Sequence, residues 1–184
     1  MTNLINKDEL NIVLVGMPGA GKTFVGNKLA KLLAHFTYVD TDEIIEKETG
    51  MSIAEIFEEN SEKYFRIIES QVIKDLSEKR NQIISIGGGA FNNDENVRLL
   101  KKNSLVFYLR APIEELLSRI KNETHRPLLN DENPKLKLKT LLKKREKNFL
   151  KANFIIDTYK QPTYHILDKL IGEYENYAKQ ISLR

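Results

Sequence analysis

The 184-residue chain, 41% hydrophobic and 30% charged, is long enough for one well-buried domain and too short for two. No apolar run approaches the roughly 18 residues of a membrane helix, and the polar stretch from Met1 to Leu10 does not read as a signal peptide, so a cytoplasmic chain without a membrane partner is expected. A net charge of +3 is too small to argue for nucleic acid, and the absence of cysteine removes disulfides, thiolate metal sites and cysteine nucleophiles together.

Short apolar runs alternate with helical patterns throughout, which is the signature of βα units around a parallel sheet; an α/β fold in a single domain over 1–184 is expected. The first strand is Asn11 to Val15. Directly after it, Gly16-Met17-Pro18-Gly19-Ala20-Gly21-Lys22-Thr23 spells the phosphate-loop pattern G-x-x-x-x-G-K-[ST]. Its glycines let backbone N–H groups wrap a polyphosphate, the next helix offers its positive end, Lys22 reaches the β- and γ-phosphates, and the Thr23 hydroxyl suits Mg²⁺. Val25, Leu29, Leu32 and Leu33 supply the apolar stripe of that helix.

The second strand is read at Thr37 to Asp40, ending in Asp40-Thr41-Asp42. Residues two apart on a strand point the same way, so both carboxylates are expected to face one site; the alternative is a helix cap, one residue serving as cap and site together. A helix follows over Glu62 to Lys79, with Phe65, Ile68, Val72 and Leu76 as its buried stripe and Arg66 beside it. The third strand, Gln82 to Ile86, runs into Gly87-Gly88-Gly89, which permits close approach of a ligand to the backbone, and Ser85 is placed to hold a metal-bound water.

The fourth strand is Ser104 to Leu109, followed after Pro112 by a helix with Leu116, Leu117 and Ile120 inward. Between Asn122 and Lys135 the chain turns polar and holds Pro127 and Pro134, and a mobile lid over about 122–134 is expected. A basic helix, the strand Phe154 to Asp157 and a last helix with Leu167, Leu170, Ile171 and Tyr174 complete the chain. Arg66, Arg126 and Arg145 come from three segments and could converge on an anionic acceptor, since the guanidinium fork binds two oxygens of a carboxylate or phosphate at once. His35, His125 and His165 have no metal-like spacing and are read as structural or surface residues.

The phosphate loop, Asp40-Thr41-Asp42, Phe65-Arg66-x-x-Glu69, Gly87-Gly88-Gly89 and Arg126-Pro127-Leu128-Leu129, in this order and at these intervals, resemble the shikimate kinase family from about Asn11 to Leu170. The resemblance implies a three-layer P-loop kinase fold, with a five-stranded parallel sheet in order 2-3-1-4-5, and transfer of the γ-phosphoryl of ATP to the 3-hydroxyl of shikimate. It implies that Asp42, Arg66, Gly87, Gly88, Gly89 and Arg145 hold shikimate, with Glu69 orienting Arg66. Gly19, Ala20, Gly21, Lys22, Thr23, Arg119, Arg126 and Pro162 would hold ATP, with Arg119 and Pro162 flanking the adenine. Lys22, Asp42 and Arg126 would carry the chemistry. Thr23 would bind Mg²⁺ directly, Asp40 and Ser85 would act through its water shell, and a monomer is favoured.

Two departures from the family pattern stand out. Ser61-Glu62-Lys63-Tyr64-Phe65-Arg66 lacks the usual glycine, and Arg145-Glu146-Lys147-Asn148-Phe149 stands where Arg-x-Pro-Leu-Tyr is usual. Competing readings are a P-loop kinase for gluconate or a nucleoside monophosphate, which the Asp42, Arg66 and Gly88 set opposes, and a nucleotide-dependent switch, which needs no anionic acceptor pocket.

Overall fold

The computed structural model describes residues 10–120 and 133–182. Five parallel strands, β1 (Asn11–Val15), β2 (Thr37–Asp40), β3 (Gln82–Ser85), β4 (Ser104–Arg110) and β5 (Phe154–Asp157), form one sheet in the order β2-β3-β1-β4-β5. The three central strands are apolar runs with no alternation, as burial on both faces requires; β1 is buried at every residue. Predicted strand bounds hold except that β3 stops at Ser85, one residue early, and β4 runs on to Arg110.

Helices α1 (Lys22–Leu32), α2 (Thr41–Thr49), α3 (Ile53–Glu59), α4 (Glu62–Glu78), α5 (Asp94–Lys102), α6 (Ile113–Ile120), α7 (Pro134–Phe149) and α8 (Thr163–Ser182) fill the connections. From β1 the chain crosses to one side of the sheet through α1, and from β3 to the other through α5. Right-handed crossovers therefore put α1 on one face and α4 and α5 on the opposite face, and α8 returns to pack beside α1. Among the described residues no helix is long and apolar enough to cross a membrane.

Local chemistry sets the element ends. Ser61, where the family pattern has glycine, caps α4 by accepting from the Tyr64 N–H at 3.2 Å. Ser52 and Glu55 form a reciprocal capping box on α3, and Asn133 caps α7 with Pro134 in its first turn. Of the segment expected as a lid, Asn133 and Pro134 belong to the start of α7 and 122–132 lies outside the described residues. Buried Asn11 fastens the start of the sheet, donating to the Lys79 carbonyl and accepting from the Gln82 N–H, both at 2.9 Å.

The predicted helical stripes hold with two changes. On α4, Glu69 and Ile73 are buried alongside Phe65, Val72 and Leu76. On α1, Val25 and Leu29 are inside and Leu33, just past its end, packs against the core, but Leu32 is 59% exposed.

Candidate active site

Every strand delivers its carboxyl end to the same edge, and around β1 the chain leaves neighbouring strands toward opposite faces. That reversal opens a crevice between the loop after β1 and the loop after β3. The phosphate loop lines one wall. Gly19 takes φ 78° and Gly21 φ 89°, backbone that other residues adopt only under strain. A Cβ on Gly19 would also stand 2.8 Å from the Leu116 carbonyl oxygen. The start of α1 has no side-chain cap and no acid in its first turn, so its leading N–H groups are left for an anion. Lys22 Nζ folds back to donate to the carbonyls of Gly16 at 3.2 Å and Met17 at 3.3 Å, which spans the loop with a positive charge at its centre.

Asp40 and Asp42 both reach the crevice, but not by strand alternation. β2 ends at Asp40, whose carboxylate caps α2 by accepting from the Asp42 N–H at 3.0 Å; Asp42 therefore sits on the first helical turn. Asp40 Oδ2 also accepts from the Thr23 hydroxyl at 3.4 Å and from the Tyr38 hydroxyl at 3.0 Å. Ser85, almost fully buried, lies in register with Asp40 on the neighbouring strand. Between the two carboxylates, buried Thr41 accepts the Gly87 N–H at 3.2 Å and ties the second strand to the glycine run. Thr23, Asp40 and Ser85 are hard oxygen donors, too few to make a cage, and among the described residues no cluster of three or more His, Asp or Glu side chains could hold a metal. This set fits Mg²⁺, which dehydrates reluctantly and comes to such sites on nucleotide phosphates.

The opposite wall is cationic. A cavity of about 580 Å³ is lined by Pro18, Asp42, Phe57, Arg66, Gly88 and Arg145 among others, and a second of about 420 Å³ adjoins it across the two arginines. Arg66 is aimed by two carboxylates: Nη1 meets Glu69 Oε2 at 2.6 Å and Nη2 meets Glu62 Oε1 at 3.1 Å. Gly88 and Gly89 are there for space. A Cβ on Gly88 would come within 2.9 Å of Arg145 Nη1, and one on Gly89 would collide with the Arg66 guanidinium. Burial, reinforced by the neighbouring Arg66 charge, pulls the Arg145 pKa below the ordinary arginine value. Two mutually repelling guanidiniums in one recess are relieved by an anion.

The departure at Arg145-Glu146-Lys147-Asn148-Phe149 ends in two buried residues. Phe149 is fully buried with its ring stacked 5.0 Å from that of Tyr108, and the Asn148 amide donates to Asn92 Oδ1 at 3.0 Å, holding α7 against the turn after the glycine run. Arg119 spends its guanidinium on protein, meeting Glu115, the Gly19 carbonyl and Thr158. It binds the phosphate loop to the end of β5, four residues before exposed Pro162, so both predicted adenine neighbours lie at this edge of the sheet. Arg126 and His125 lie outside the described residues.

Glu69 is wholly buried, and burial lifts its pKa from 4.5 to about 6, opposed by Arg66 and assisted by Asp42. The folded chain therefore holds this proton more tightly than the unfolded one, and its ionisation costs stability as pH rises from about 4.5 through about 6. The full cost above that window is about 2 kcal/mol. Glu69→Gln should accordingly gain about 2 kcal/mol on the wild type between pH 4 and pH 7.5 in urea unfolding, whereas a constant difference would contradict this assignment.

Sequence reading alone passed over Tyr38, Thr41, Glu62 and Asn148. Thr41 and Asn148 act on groups remote in sequence, and nothing in spacing announces that; Tyr38, two residues before Asp40 on one strand, and Glu62, one helical turn before Arg66, carried a legible signal.

The family model described as Shikimate kinase matches residues 18–175. A shikimate kinase of Thermodesulfovibrio yellowstonii is 47% identical over 91% of this chain and 96% of its own, and one of Caldanaerobacter subterraneus is 40% identical over 89% and 95%. Among solved structures, a shikimate kinase from Acinetobacter baumannii in complex with shikimate superposes with a TM-score of 0.85 at 37% identity, covering 91% of this chain and 94% of that one.

Proposed function

The chain belongs to the shikimate kinase family, and from that premise we propose that it transfers the γ-phosphoryl of ATP to the 3-hydroxyl of shikimate. The observation that carries the reading is the single crevice in which a phosphate loop faces Asp42 and the Arg66–Arg145 pair. A carboxylate answers the two guanidiniums, and a ring hydroxyl answers Asp42. Neither a gluconate-type acceptor nor a protein switch accounts as well for a cyclic acid's worth of recess floored by glycine.

The residue roles proposed here rest on position together with the family pattern. The N–H groups at the start of α1 and the backbone of Gly19, Ala20 and Gly21 bind the phosphates, with Arg119 and Pro162 at the nucleoside end. Lys22, held at the centre of the loop by two carbonyls, stabilises charge that develops on the phosphoryl oxygens. Arg66 and Arg145 clamp the substrate carboxylate, and Gly87, Gly88 and Gly89 admit the ring. Asp42 orients the hydroxyl and takes its proton as the new O–P bond forms and the bond to the ADP oxygen breaks. Arg126 reaches both ligands from the segment after α6. Thr23 would bind Mg²⁺ directly, with Asp40 and Ser85 holding its waters, and the ion would neutralise charge on the β- and γ-oxygens. The transition state is loose, so positioning and electrostatics supply the catalysis and no covalent enzyme intermediate forms. The chain acts as a monomer in the cytoplasm, on small molecules only.

A coupled assay of ADP release across shikimate, quinate, gluconate and nucleoside monophosphates tests this. Turnover with shikimate should exceed that with each of the others by on the order of 10²-fold, because the missing or misplaced partner leaves buried polar groups unpaired. No stimulation of ADP release by shikimate would overturn the reading.

A further inference from the structure

Asp40 is held from three elements at once. Its Oδ1 accepts from the Asp42 N–H at 3.0 Å, while Oδ2 accepts from the Thr23 hydroxyl at 3.4 Å and the Tyr38 hydroxyl at 3.0 Å. Tyr38 stands two residues before Asp40 on β2, so the two side chains share a face of the strand. Its ring lies across the middle of α1, over the one position there without a side chain: a Cβ on Gly26 would press into the Tyr38 ring. Glycine inside a helix costs about 1 kcal/mol relative to alanine, and at Gly26 the packing of this ring accounts for it. The phenol O–H is the donor in its contact with Asp40 Oδ2. Nothing in the roles given above uses this hydroxyl.

We propose that Tyr38 is a positioning residue for the divalent cation that accompanies the nucleotide: its hydroxyl fixes Asp40 Oδ2 beside Thr23, so that the Thr23, Asp40 and Ser85 oxygens are ordered before the ion arrives. The physical need is specific. When the Thr23 oxygen gives a lone pair to a cation, its hydrogen must point to an acceptor, and Asp40 Oδ2 is that acceptor. The Asp42 N–H pins only Oδ1, and of the two hydroxyls on Oδ2 the phenol is the closer, at 3.0 Å against 3.4 Å for Thr23, so the phenol is the tighter hold on the second oxygen. Gly26 belongs to the same device, as the space that lets the ring reach.

This inference rests on the phosphoryl-transfer reading, and the experiment separates the two. Mn²⁺ is titrated into the chain in the presence of ADP, with free Mn²⁺ followed by its EPR signal, for the wild type, Tyr38→Phe and Gly26→Ala. Tyr38→Phe removes one oxygen and leaves the ring, and is expected to weaken Mn²⁺ binding about fivefold to tenfold. The Mg²⁺ concentration for half-maximal turnover should rise by a like factor, while KM for shikimate stays within about twofold. Gly26→Ala keeps the phenol but displaces its ring, and should weaken Mn²⁺ binding in the same direction. Wild-type Mn²⁺ affinity in Tyr38→Phe, with or without a drop in melting temperature, overturns the proposal while leaving the kinase reading intact if the wild type still turns over shikimate. A wild-type chain that takes up no Mn²⁺ with ADP overturns both the proposal and the metal assignment beneath it.

Discussion

Lys22→Ala is expected to lower kcat at saturating ATP by on the order of 10²-fold or more. Two losses are expected, and the first of them sets that figure. The ammonium group is placed where negative charge grows on the transferred phosphoryl group, and a preorganised donor of this kind is worth more in a desolvated crevice than in water. The same group also ties the loop to itself through the Gly16 and Met17 carbonyls, at 3.2 and 3.3 Å, so alanine leaves two carbonyl oxygens without that donor and lets the loop relax. Loss of the loop tie should appear as a higher KM for ATP, and loss of charge stabilisation as lower kcat at saturation. Steady-state kinetics with ATP and shikimate varied in turn separates them; near-normal kcat with only KM raised would confine Lys22 to holding the loop.

Arg66→Ala should raise KM for shikimate by on the order of 10²-fold, because it removes a charge-assisted, two-oxygen contact to the substrate carboxylate. KM for ATP should remain within about threefold, and a change confined to ATP would contradict the placement of Arg66 in the acceptor recess. The substitution has a second consequence inside the protein. Glu69 loses the 2.6 Å partner that offsets its burial and is left facing Asp42, with Arg145 the remaining cation near it. The Glu69 pKa, already about 6, must rise further. The variant should therefore be less stable than the wild type by about 2 kcal/mol near pH 7.5 and much closer to it near pH 5, where the proton is present in both. Equal destabilisation at the two pH values would mean that Glu69 does not depend on Arg66 for its charge.

The acceptor recess shows how function and stability are joined in this chain. Glu69 aims Arg66 at a stability cost above pH 6, and Gly88 and Gly89 give up side chains so that two guanidiniums can lie against the backbone. The arrangement is costly without an anion, and so favours the anionic acceptor over water.

Much of this was legible before any coordinates. Unbroken Ile, Val, Leu and Phe runs in Asn11–Val15 and Ser104–Arg110 mark strands buried on both faces, and the glycine spacing ahead of Lys22 marks a phosphate loop, because local sterics and hydrogen-bonding capacity decide both. Helix α4 was legible for a similar reason, its apolar residues recurring at steps of three and four. Strand alternation does not describe Asp40 and Asp42: the Asp40 side chain ends the strand by capping the next helix, a competition between two local structures that alternation cannot see.

What the amino-acid order determined alone was therefore the set of elements, the phosphate-loop chemistry and the family resemblance, all of which rest on neighbours within a few residues or on a known pattern of intervals. Tertiary structure decided which charges meet. The Thr23 hydroxyl on Asp40, Arg145 over Gly88, Thr41 on the Gly87 N–H and Asn148 on Asn92 join residues that are remote in the chain. Such contacts depend on how parallel strands are ordered and which way each crossover turns, and that is settled by burying all the apolar faces at once.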